Sequence, residues 1–327
     1  MKNKPLLSIC IPTRNRADVL EKCLNSIVND QAFNDDVEVV VSDNCSEDNT
    51  QDLVKSYTEC FENVKYFRNA ENIGVCRNIE QVLNVAQGEF LKLNNDYSVF
   101  NEGALKFLVD TVKNNIVEKP VLYFHQNQNL KNDIYEVIES FDLFLKKEGW
   151  STSWIGSYGY WENDFQEFDD RCRREKRFFV IIDWFIRSFK KKRKIICCNK
   201  NLTTRYPFRE KQGGYNFIEI HTRNFIEQYE NLVKEGLLKE SSIEYVKRVS
   251  LLPSMIQWAV KLKLANKGKF SYDSQKSFEI IKREFGYYSW YRKDFIKHLI
   301  QTVLSVIKRE YIMQIVLKIL HREGGGK

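Results

Sequence analysis

The chain has 327 residues, 43% of them hydrophobic, and its formal net charge is +7. This composition excludes a disordered chain, because apolar side chains are numerous enough to bury a core, and the length suits one large domain or two smaller ones. None of the eight cysteines forms a Cys-x-x-Cys pair, which excludes a typical zinc or disulfide framework and favours a reducing cytoplasm. We expect neither a signal peptide nor a transmembrane span, because no run of about 18 uncharged apolar residues occurs.

Charge is distributed unevenly along the chain. Residues 1–110 hold 11 Lys and Arg against 18 Asp and Glu, whereas residues 111–327 hold 40 against 26. The basic remainder is consistent with solubility alone, and it also suits contact with an anionic surface such as lipid headgroups. Nucleic acid is not an expected partner, because the sequence contains no recognised nucleic-acid-binding module.

Strands and amphipathic helices alternate through the first 110 residues. The predicted strands are 6–11, 37–42, 63–68 and 89–93, and the predicted helices are 17–27, about 50–60, 75–86 and 103–117. Regular alternation of this kind predicts right-handed βαβ units. The expected fold class is therefore α/β, with a mostly parallel, Rossmann-like sheet and flanking helices.

The pattern is more mixed beyond residue 110. It predicts a strand at 121–125, an aromatic, Gly-spaced loop or short strand at 153–161, a helix at 178–189 and a strand at 194–198. From residue 217 onward the periodicity is helical almost throughout. We therefore predict a first domain over 1–215, divided near residue 110, and a C-terminal helical region over 216–327.

Three of the predicted strands end in polar side chains. Thr13 follows the first, Asp43 follows the second, and Asn95 and Asp96 follow the fourth. The carboxyl ends of parallel strands share one edge of a sheet, where ligands bind, so one crevice is expected. Asp43 suits hydrogen bonds to a nucleobase or ribose, although such residues also cap helices and form turns. Asp96 suits a Mg²⁺ ion shared with a diphosphate, although Asn-Asn-Asp triplets are also common in turns.

Four segments resemble the family 2 glycosyltransferases of the GT-A fold, in the same order and at similar spacings. They are Leu-Ser-Ile-Cys-Ile-Pro-Thr-Arg-Asn-Arg at 7–16, Val-Val-Ser-Asp-Asn-Cys-Ser-Glu-Asp-Asn-Thr at 40–50, Asn-Ile-Gly-Val-Cys-Arg-Asn at 72–78 and Gly-Glu-Phe-Leu-Lys-Leu-Asn-Asn-Asp at 88–96. The resemblance covers about residues 5–125. It is greatest to the bacterial, abequosyltransferase-like branch that builds O-antigen and capsule chains.

The resemblance implies a nucleotide-sugar half at 1–110 and an acceptor half at 111–215. By this analogy Pro12, Thr13 and Arg14 line the nucleobase pocket, although Arg14 stands where the family usually has Tyr. Asp43 would bond the base. Arg77 would help to order the nucleotide, whereas from the sequence alone it is equally a surface residue on the first turn of a helix.

Asn95 and Asp96 occupy the position of the family's metal-binding acidic motif. That motif usually carries two or three Asp, whereas here Asn94 and Asn95 leave one carboxylate. One carboxylate together with diphosphate oxygens can still hold Mn²⁺ or Mg²⁺. Some GT-A enzymes add a downstream His to the metal ligands, and His221 is the candidate here, although a lone His is more often simply hydrogen-bonded.

An inverting transfer needs a carboxylate that takes the proton of the acceptor hydroxyl. Ile-Asp-Trp-Phe-Ile-Arg at 182–187 resembles the family segment that carries it, so Asp183 is the predicted base. Asp169 and Asp170 are rivals, and a helix-capping role for Asp183 is the structural alternative. Trp154 lies in a segment that resembles the acceptor side, where an aromatic face suits sugar stacking or core packing equally.

These observations predict an inverting, metal-assisted enzyme that moves a single sugar from a nucleotide-sugar to a surface-polysaccharide or lipid-linked acceptor. Two alternatives stay open. A nucleotidyltransferase would need a Gly-rich loop after the first strand, which residues 12–16 lack, and a non-catalytic binding protein would tolerate the missing carboxylates. The expected location is the cytoplasm or the cytoplasmic face of the inner membrane, because the amphipathic C-terminal stripe suits either the catalytic domain or a membrane surface.

Overall fold

A computed structural model describes residues 4–125, 134–173, 175–206, 213–264 and 271–323. The chain divides into two compact units, Met1–Phe208 and Arg209–Lys327. The first combines strands and helices, and the second is mostly helical. The sequence predicted a domain boundary after residue 215, and that division into domains stays a prediction.

The first unit carries the α/β sheet. Its described strands are β1 Leu7–Thr13, β2 Val37–Asp43, β3 Val64–Arg68, β4 Phe90–Leu93, β5 Ser98–Phe100, β6 Val121–Phe124, β7 Tyr135–Ile138, β8 Gly159–Trp161, β9 Ile195–Cys198 and β10 Thr203–Arg205. Its described α-helices are α1 Ala17–Val28, α2 Thr50–Cys60, α3 Val75–Val85, α4 Ala104–Asn115, α5 Phe141–Glu148, α6 Glu162–Gln166 and α7 Val180–Lys192. Short 3₁₀ helices span Gly149–Ser153, Ile155–Ser157 and Glu175–Arg177.

The central sheet has the strand order β3-β2-β1-β4-β8. The first four strands are parallel, and β8 pairs antiparallel with β4. Every residue of β2 is buried, as expected for a parallel strand that is covered on both faces. The chain runs outward from β1 through β2 to β3 and then returns to β4 on the other side of β1. The carboxyl ends of β1 and β4 therefore flank the kind of crevice in which open α/β sheets bind ligands.

Gly88 allows the chain entering β4 to lie against β1. A Cβ atom at this position would come within 2.5 Å of Ser8 Oγ and 2.7 Å of Ser8 N. The Gly88 amide donates to Ser8 Oγ at 2.8 Å, and Ser8 donates to the buried Glu38 carboxylate. This close approach secures the pairing of the two strands whose tips carry Thr13 and Asp96.

The predicted α/β fold class is confirmed, and each strand and helix predicted in the first 110 residues is present within a few residues of its expected bounds. In the first unit, three strands of three or four residues were missed, namely β5, β7 and β10, as were the short helices α5 and α6. Their few residues give too little alternation to recognise. The aromatic segment at 153–161 proves to be a 3₁₀ turn followed by β8.

The second unit is built mainly from helices, as predicted. Its described elements are β11 Gly213–Asn216, α8 Phe217–Glu219, a π-helix Ile220–Asn224, α9 Phe225–Glu227, α10 Glu230–Lys234, α11 Glu240–Val246, a π-helix Lys247–Leu251, α12 Leu252–Leu264, β12 Ser271–Asp273, α13 Ser277–Phe285 and α14 Tyr291–Glu323. β11 and β12 pair in parallel. In the described part of the chain, no helix combines the length and apolar character needed to cross a membrane.

Candidate active site

Asp96 joins the tips of β1 and β4. Its Oδ2 accepts a hydrogen bond from Thr13 Oγ1 at 2.8 Å, and its Oδ1 accepts one from Arg16 Nη1 at 2.9 Å. Asp96 and Thr13 are both buried. The two predicted residues are therefore in direct contact. Arg16, which lies inside the first motif but was given no role, is the cation that neutralises the carboxylate.

Asp43 organises the loop that follows β2. Its Oδ1 accepts from the backbone N–H of Ser46 at 2.9 Å, and its Oδ2 accepts from the Tyr66 hydroxyl at 2.7 Å. Arg68 Nε lies 3.5 Å from the same carboxylate. Burial, together with the hydrogen bond to Asp43, raises the pKa of Tyr66. Ser46 Oγ also donates to Oδ1. Four donor groups therefore surround this buried carboxylate, about as many as it can accept, and a nucleobase would have to replace one of them.

The loops after β1 and β2 are locked together by Asn15. Its backbone N–H donates to Ser46 Oγ at 2.9 Å, and its Oδ1 accepts from the backbone N–H of Glu47 at 2.7 Å. The φ of Asn15 is +52°, a left-handed conformation that Asn tolerates better than most residues. Thr13, Asp43 and Asp96 therefore belong to one continuous hydrogen-bonded edge.

A third loop joins this edge before α3. Asn44 Nδ2 donates to Asn72 Oδ1 at 2.7 Å, and Asn44 Oδ1 accepts from the backbone N–H of Ile73 at 2.9 Å. Arg77 lies in the first turn of α3, but its side chain contacts Glu175 and not these loops. Its Nε is 3.0 and 3.1 Å from the two carboxylate oxygens of Glu175, which raises the pKa of Arg77. The described contacts do not bring Arg77 to Asp96, and its nucleotide role stays a prediction.

The two asparagines before Asp96 have different surroundings. Asn94 is buried, and its Nδ2 donates to the Ser98 carbonyl at 3.2 Å, so it supports the turn. Asn95 Nδ2 is buried without a hydrogen-bond partner among the described residues, and the same holds for Trp154 Nε1. A Cβ atom placed on Gly156 would lie 3.6 Å from Asn95 Nδ2 and 3.1 Å from Trp154 Nε1. Two unsatisfied donors therefore face the same glycine.

The nucleobase candidates at the end of β1 lie beside this edge. Pro12 pairs in register with Ser42 of β2. Arg14 is partly exposed, and its Nη2 lies 3.7 Å from Glu47 Oε1. Arg14 therefore places a cation beside the loop that follows β2, and its contact with a nucleobase stays a prediction.

Asp183 lies in the first turn of α7 and is buried. Arg173 binds it through two atoms, with Nε 3.1 Å from Oδ2 and Nη2 2.9 Å from Oδ1. Arg187 Nε lies 2.9 Å from Oδ2. Arg187 also donates to the Asp169 carbonyl at 2.7 Å, so the cluster holds the segment that precedes α7. Of the rivals, Asp169 has a 99% exposed side chain, and Asp170 has a positive φ.

A family model described as "Glycosyl transferase family 2" matches residues 8–195, which is more than half of the chain. The chain belongs to glycosyl transferase family 2. The predicted family is thereby confirmed, and the match includes both the strand-tip edge and Asp183.

Curated relatives of this family 2 member match shorter stretches. Abequosyltransferase RfbV of Salmonella typhimurium is 40% identical over 86 residues, 26% of either chain. The GalNAc(5)-diNAcBac-PP-undecaprenol beta-1,3-glucosyltransferase of Campylobacter jejuni is 38% identical over 106 residues, 32% of this chain and 34% of the relative. The matches therefore span between a quarter and about a third of the length of these relatives.

Solved structures share the fold over nearly the whole chain. Staphylococcus aureus TarS 1–349 in complex with UDP-GlcNAc has a TM-score of 0.55 at 16% identity, with 93% of this chain and 92% of that chain covered. A Pyrobaculum calidifontis mannosyltransferase in complex with GDP-Man and Mn²⁺ has a TM-score of 0.53 at 13% identity, with 92% and 87% covered. Identities this low establish the fold alone, which is GT-A as predicted.

The fold family implies a divalent cation, and the strand tips suit one. Mg²⁺ is usually held by one or two carboxylates and completed by substrate phosphates. Asp96 supplies one carboxylate, whereas the unsatisfied atom of Asn95 is Nδ2, a hydrogen-bond donor that does not ligate a cation. Among the described residues no group of three or more His, Cys, Asp or Glu side chains could hold a metal. A cation here would therefore take its other ligands from the diphosphate and replace the Arg16 hydrogen bond.

His221 lies in the second unit, and its surroundings are those of a packed aromatic. Its Nδ1 donates to the Phe217 carbonyl at 3.0 Å, and its ring stacks on the Phe217 ring at a centroid distance of 3.9 Å. Burial lowers the pKa of His221 to about 4. The ring is therefore neutral at neutral pH, and its predicted role as a metal ligand stays a prediction.

Lys92 is a residue that sequence reasoning left without a role. It is buried in β4, where its Nζ donates to the carbonyl oxygens of Leu93 at 2.7 Å and Gly156 at 2.6 Å. Burial lowers the pKa of Lys92 to about 7. The signal was present in the sequence, because a lysine between two leucines interrupts an apolar strand.

Proposed function

We propose that the protein transfers a single sugar from a nucleotide-sugar donor to a surface-polysaccharide acceptor, of the capsule or O-antigen kind, or to its lipid-linked precursor. The observation that carries the proposal is the single edge formed by Thr13, Asp43 and Asp96 at the carboxyl ends of parallel strands. The name of the Campylobacter jejuni relative supports the lipid-linked acceptor class, since it includes PP-undecaprenol.

The donor lies across the strand tips in this proposal. Pro12, Thr13 and Arg14 face the nucleobase, Asp43 accepts a hydrogen bond from it, and Arg77 turns from Glu175 to the nucleotide. Arg16 and Asp96 lie nearest the diphosphate. A bound Mn²⁺ or Mg²⁺ would neutralise the charge that develops on the leaving diphosphate. The unsatisfied amide of Asn95 and indole N–H of Trp154 donate to sugar oxygens, which would satisfy two buried donors that are otherwise costly.

Transfer is inverting in this proposal. The acceptor oxygen attacks the anomeric carbon from the side opposite the diphosphate, the bond to the diphosphate breaks with its electron pair, and Asp183 takes the hydroxyl proton. The transition state resembles an oxocarbenium ion, so a nearby carboxylate also stabilises it electrostatically. For Asp183 to act in this way, Arg173 must release it, because the guanidinium donates to both oxygens of the carboxylate.

A panel of nucleotide-sugars tests the donor proposal. We expect one donor class to raise the melting temperature in the presence of Mn²⁺, because a ligand that binds the folded state stabilises it by about 2.7 kcal/mol at 100 times its Kd. Thermal unfolding would be followed with each nucleotide-sugar and with the free sugar as control. If no nucleotide-sugar shifts the transition and none is hydrolysed, the donor proposal is wrong.

Peripheral contact with the cytoplasmic face of a membrane is part of the same proposal. On α14 the side chains of Ile296, Ile300 and Leu304 are 51%, 54% and 60% exposed. They recur every four residues and so form one stripe, and the neighbouring Lys293 and Lys297 are exposed. An apolar stripe beside cations suits an anionic lipid surface.

Vesicle binding tests this contact. Ile300→Glu is expected to weaken binding to vesicles that contain anionic phospholipid by about tenfold or more. It removes an aliphatic side chain that would be buried in the lipid surface, and its carboxylate is repelled by the anionic headgroups. Val117→Glu is the matched control, since Val117 is 92% exposed but lies in the first unit. Co-sedimentation that is equal for both variants, or absent for the native chain, would exclude the stripe as a membrane contact.

A further inference from the structure

Lys92 connects the strand tip to the segment that leads into β8. Its Nζ donates to the Leu93 carbonyl, at the end of β4, and to the Gly156 carbonyl, in the 3₁₀ turn Ile155–Ser157. The same Nζ lies 5.0 Å from the centroid of the Phe124 ring. The ammonium therefore links two backbone segments, the end of β4 that precedes Asn95 and Asp96 and the 3₁₀ turn that contains Gly156.

The setting of Lys92 is unusual for a charged group. The titratable groups that face it are Cys10 on β1 and Cys198 on β9, and burial raises the pKa of both thiols, so both are neutral. No carboxylate among the described residues forms an ion pair with Lys92 in this structure. Buried lysines without a countercharge are rare because desolvation disfavours the ammonium. A methionine would fill the same space, so core packing alone does not explain the residue.

The segment held by Lys92 contains the two unsatisfied donors. A Cβ atom placed on Gly156 would lie close to both Trp154 Nε1 and Asn95 Nδ2, so Gly156 is a near neighbour of both donors. The Leu93 amide also donates to the Tyr158 carbonyl at 3.0 Å, so the segment is attached to β4 at Gly156 and again at Tyr158. A shift of Gly156 would therefore change the separation of the indole and the amide.

We propose that Lys92 is a positioning residue for sugar transfer, which fixes the Trp154–Gly156 turn against the tip of β4 so that Trp154 and Asn95 meet the oxygens of the sugar. The inference rests on the proposed function. A misplacement of about 1 Å can reduce a rate by about 10²-fold, so a group that touches neither substrate nor diphosphate can still set the rate.

The protonation of Lys92 then matters to the turn. A charged ammonium makes hydrogen bonds about twice as strong as neutral ones. Because the pKa of Lys92 is lowered to about 7, the ammonium loses its proton as the pH rises through neutrality. The hydrogen bond from Lys92 to the Gly156 carbonyl therefore weakens over the same pH range. The two neutral thiols that face Lys92 do not change charge there.

Lys92→Met tests the proposal, with Lys119→Met as the matched control. Lys119 also lies over an aromatic ring, Trp161, at 5.6 Å, but it pairs with Glu89 and does not contact the turn. We expect Lys92→Met to lower kcat about 10- to 100-fold and to leave the Kd for the nucleoside diphosphate unchanged. The ratio of native to variant kcat should fall as the pH rises from about 6 to about 9. Lys119→Met should show neither effect.

An unchanged kcat, or a kcat ratio that does not vary with pH, would overturn the positioning role. Amide exchange of Gly156–Tyr158, corrected for the intrinsic dependence on pH, provides a second readout on the native chain alone. It should be faster above the pKa of Lys92 than below it, and equal rates would also contradict the proposal. This readout holds even if Lys92→Met does not fold. If the native chain transfers no sugar, the proposed function is wrong. The amide-exchange measurement would still decide whether Lys92 holds the turn.

Discussion

Asp96→Asn is expected to reduce sugar transfer by about 10²- to 10³-fold, the usual loss when one group that stabilises the transition-state charge is removed. Asp96 is the carboxylate that joins the tips of β1 and β4, and it neutralises Arg16. Asparagine keeps the size and one acceptor oxygen, so Thr13 retains a partner. Initial rates of nucleoside diphosphate release would be measured with a saturating donor, with and without Mn²⁺.

The matched control for this variant is Asp110→Asn. Asp110 is also paired with a cation, Lys106, at 2.7 Å, but it lies on an exposed face of α4. Its replacement should leave the rate unchanged and alter stability by less than about 0.5 kcal/mol. If Asp96→Asn keeps a rate close to that of the native chain while its unfolding transition is intact, the strand-tip carboxylate has no role in transfer.

Asp183→Asn is expected to reduce transfer by about 10²- to 10⁴-fold, the range that a positioned general base contributes. It should also lower the free energy of unfolding by about 1–3 kcal/mol, because two cationic partners lose their countercharge, the first 44% exposed and the second largely buried. Arg173 and Arg187 are those partners. Rates and urea unfolding would be measured on the same preparations.

Arg173→Met separates the base role of Asp183 from its structural role. This change breaks the same ion pair from the other side, so it disturbs the segment before α7 but leaves the carboxylate itself in place. If Asp183 is the base, Arg173→Met should retain much of the activity that Asp183→Asn loses. Equal losses in the two variants would show that Asp183 acts only by holding the segment, and would remove it from the base role.

The strand-tip edge could be predicted because its signal is local. An apolar run that stops at polar residues marks the carboxyl end of a buried strand, and the parallel order of the strands brings these ends together. Thr13 and Asp96 are 83 residues apart, yet they form a direct hydrogen bond. The pattern did not distinguish Asn94, which supports the turn, from Asn95, because both occupy equivalent positions after the same strand.

The partners of Arg77 and Asp183 could not be predicted. Arg77 pairs with Glu175, which lies 98 residues later in the chain. The segment that carries Arg173 and Glu175 includes only the short 3₁₀ helix Glu175–Arg177, so neither hydrophobic period nor turn chemistry indicates where it packs. Ion pairs made by such a segment depend on the tertiary path of the chain, and the residue types alone are compatible with a nucleotide contact or with these pairs.

Lys92 illustrates a different limit. Its position between Leu91 and Leu93 indicated a buried strand, and a charge there was visible in the sequence. The acceptor of its hydrogen bond, the Gly156 carbonyl, is 64 residues away and lies in a segment whose strand is antiparallel to β4. Backbone acceptors carry no sequence signal, since every residue has a carbonyl.

The most direct test of the central claim is hydrogen–deuterium exchange of the native chain with and without the nucleotide-sugar that raises its melting temperature. We expect protection of the three strand-tip loops, at residues 13–17, 43–48 and 94–97, because one donor contacts all of them. Protection confined to residues 209–327, or to one loop while the other two exchange as before, would contradict a shared donor site at the edge of the sheet.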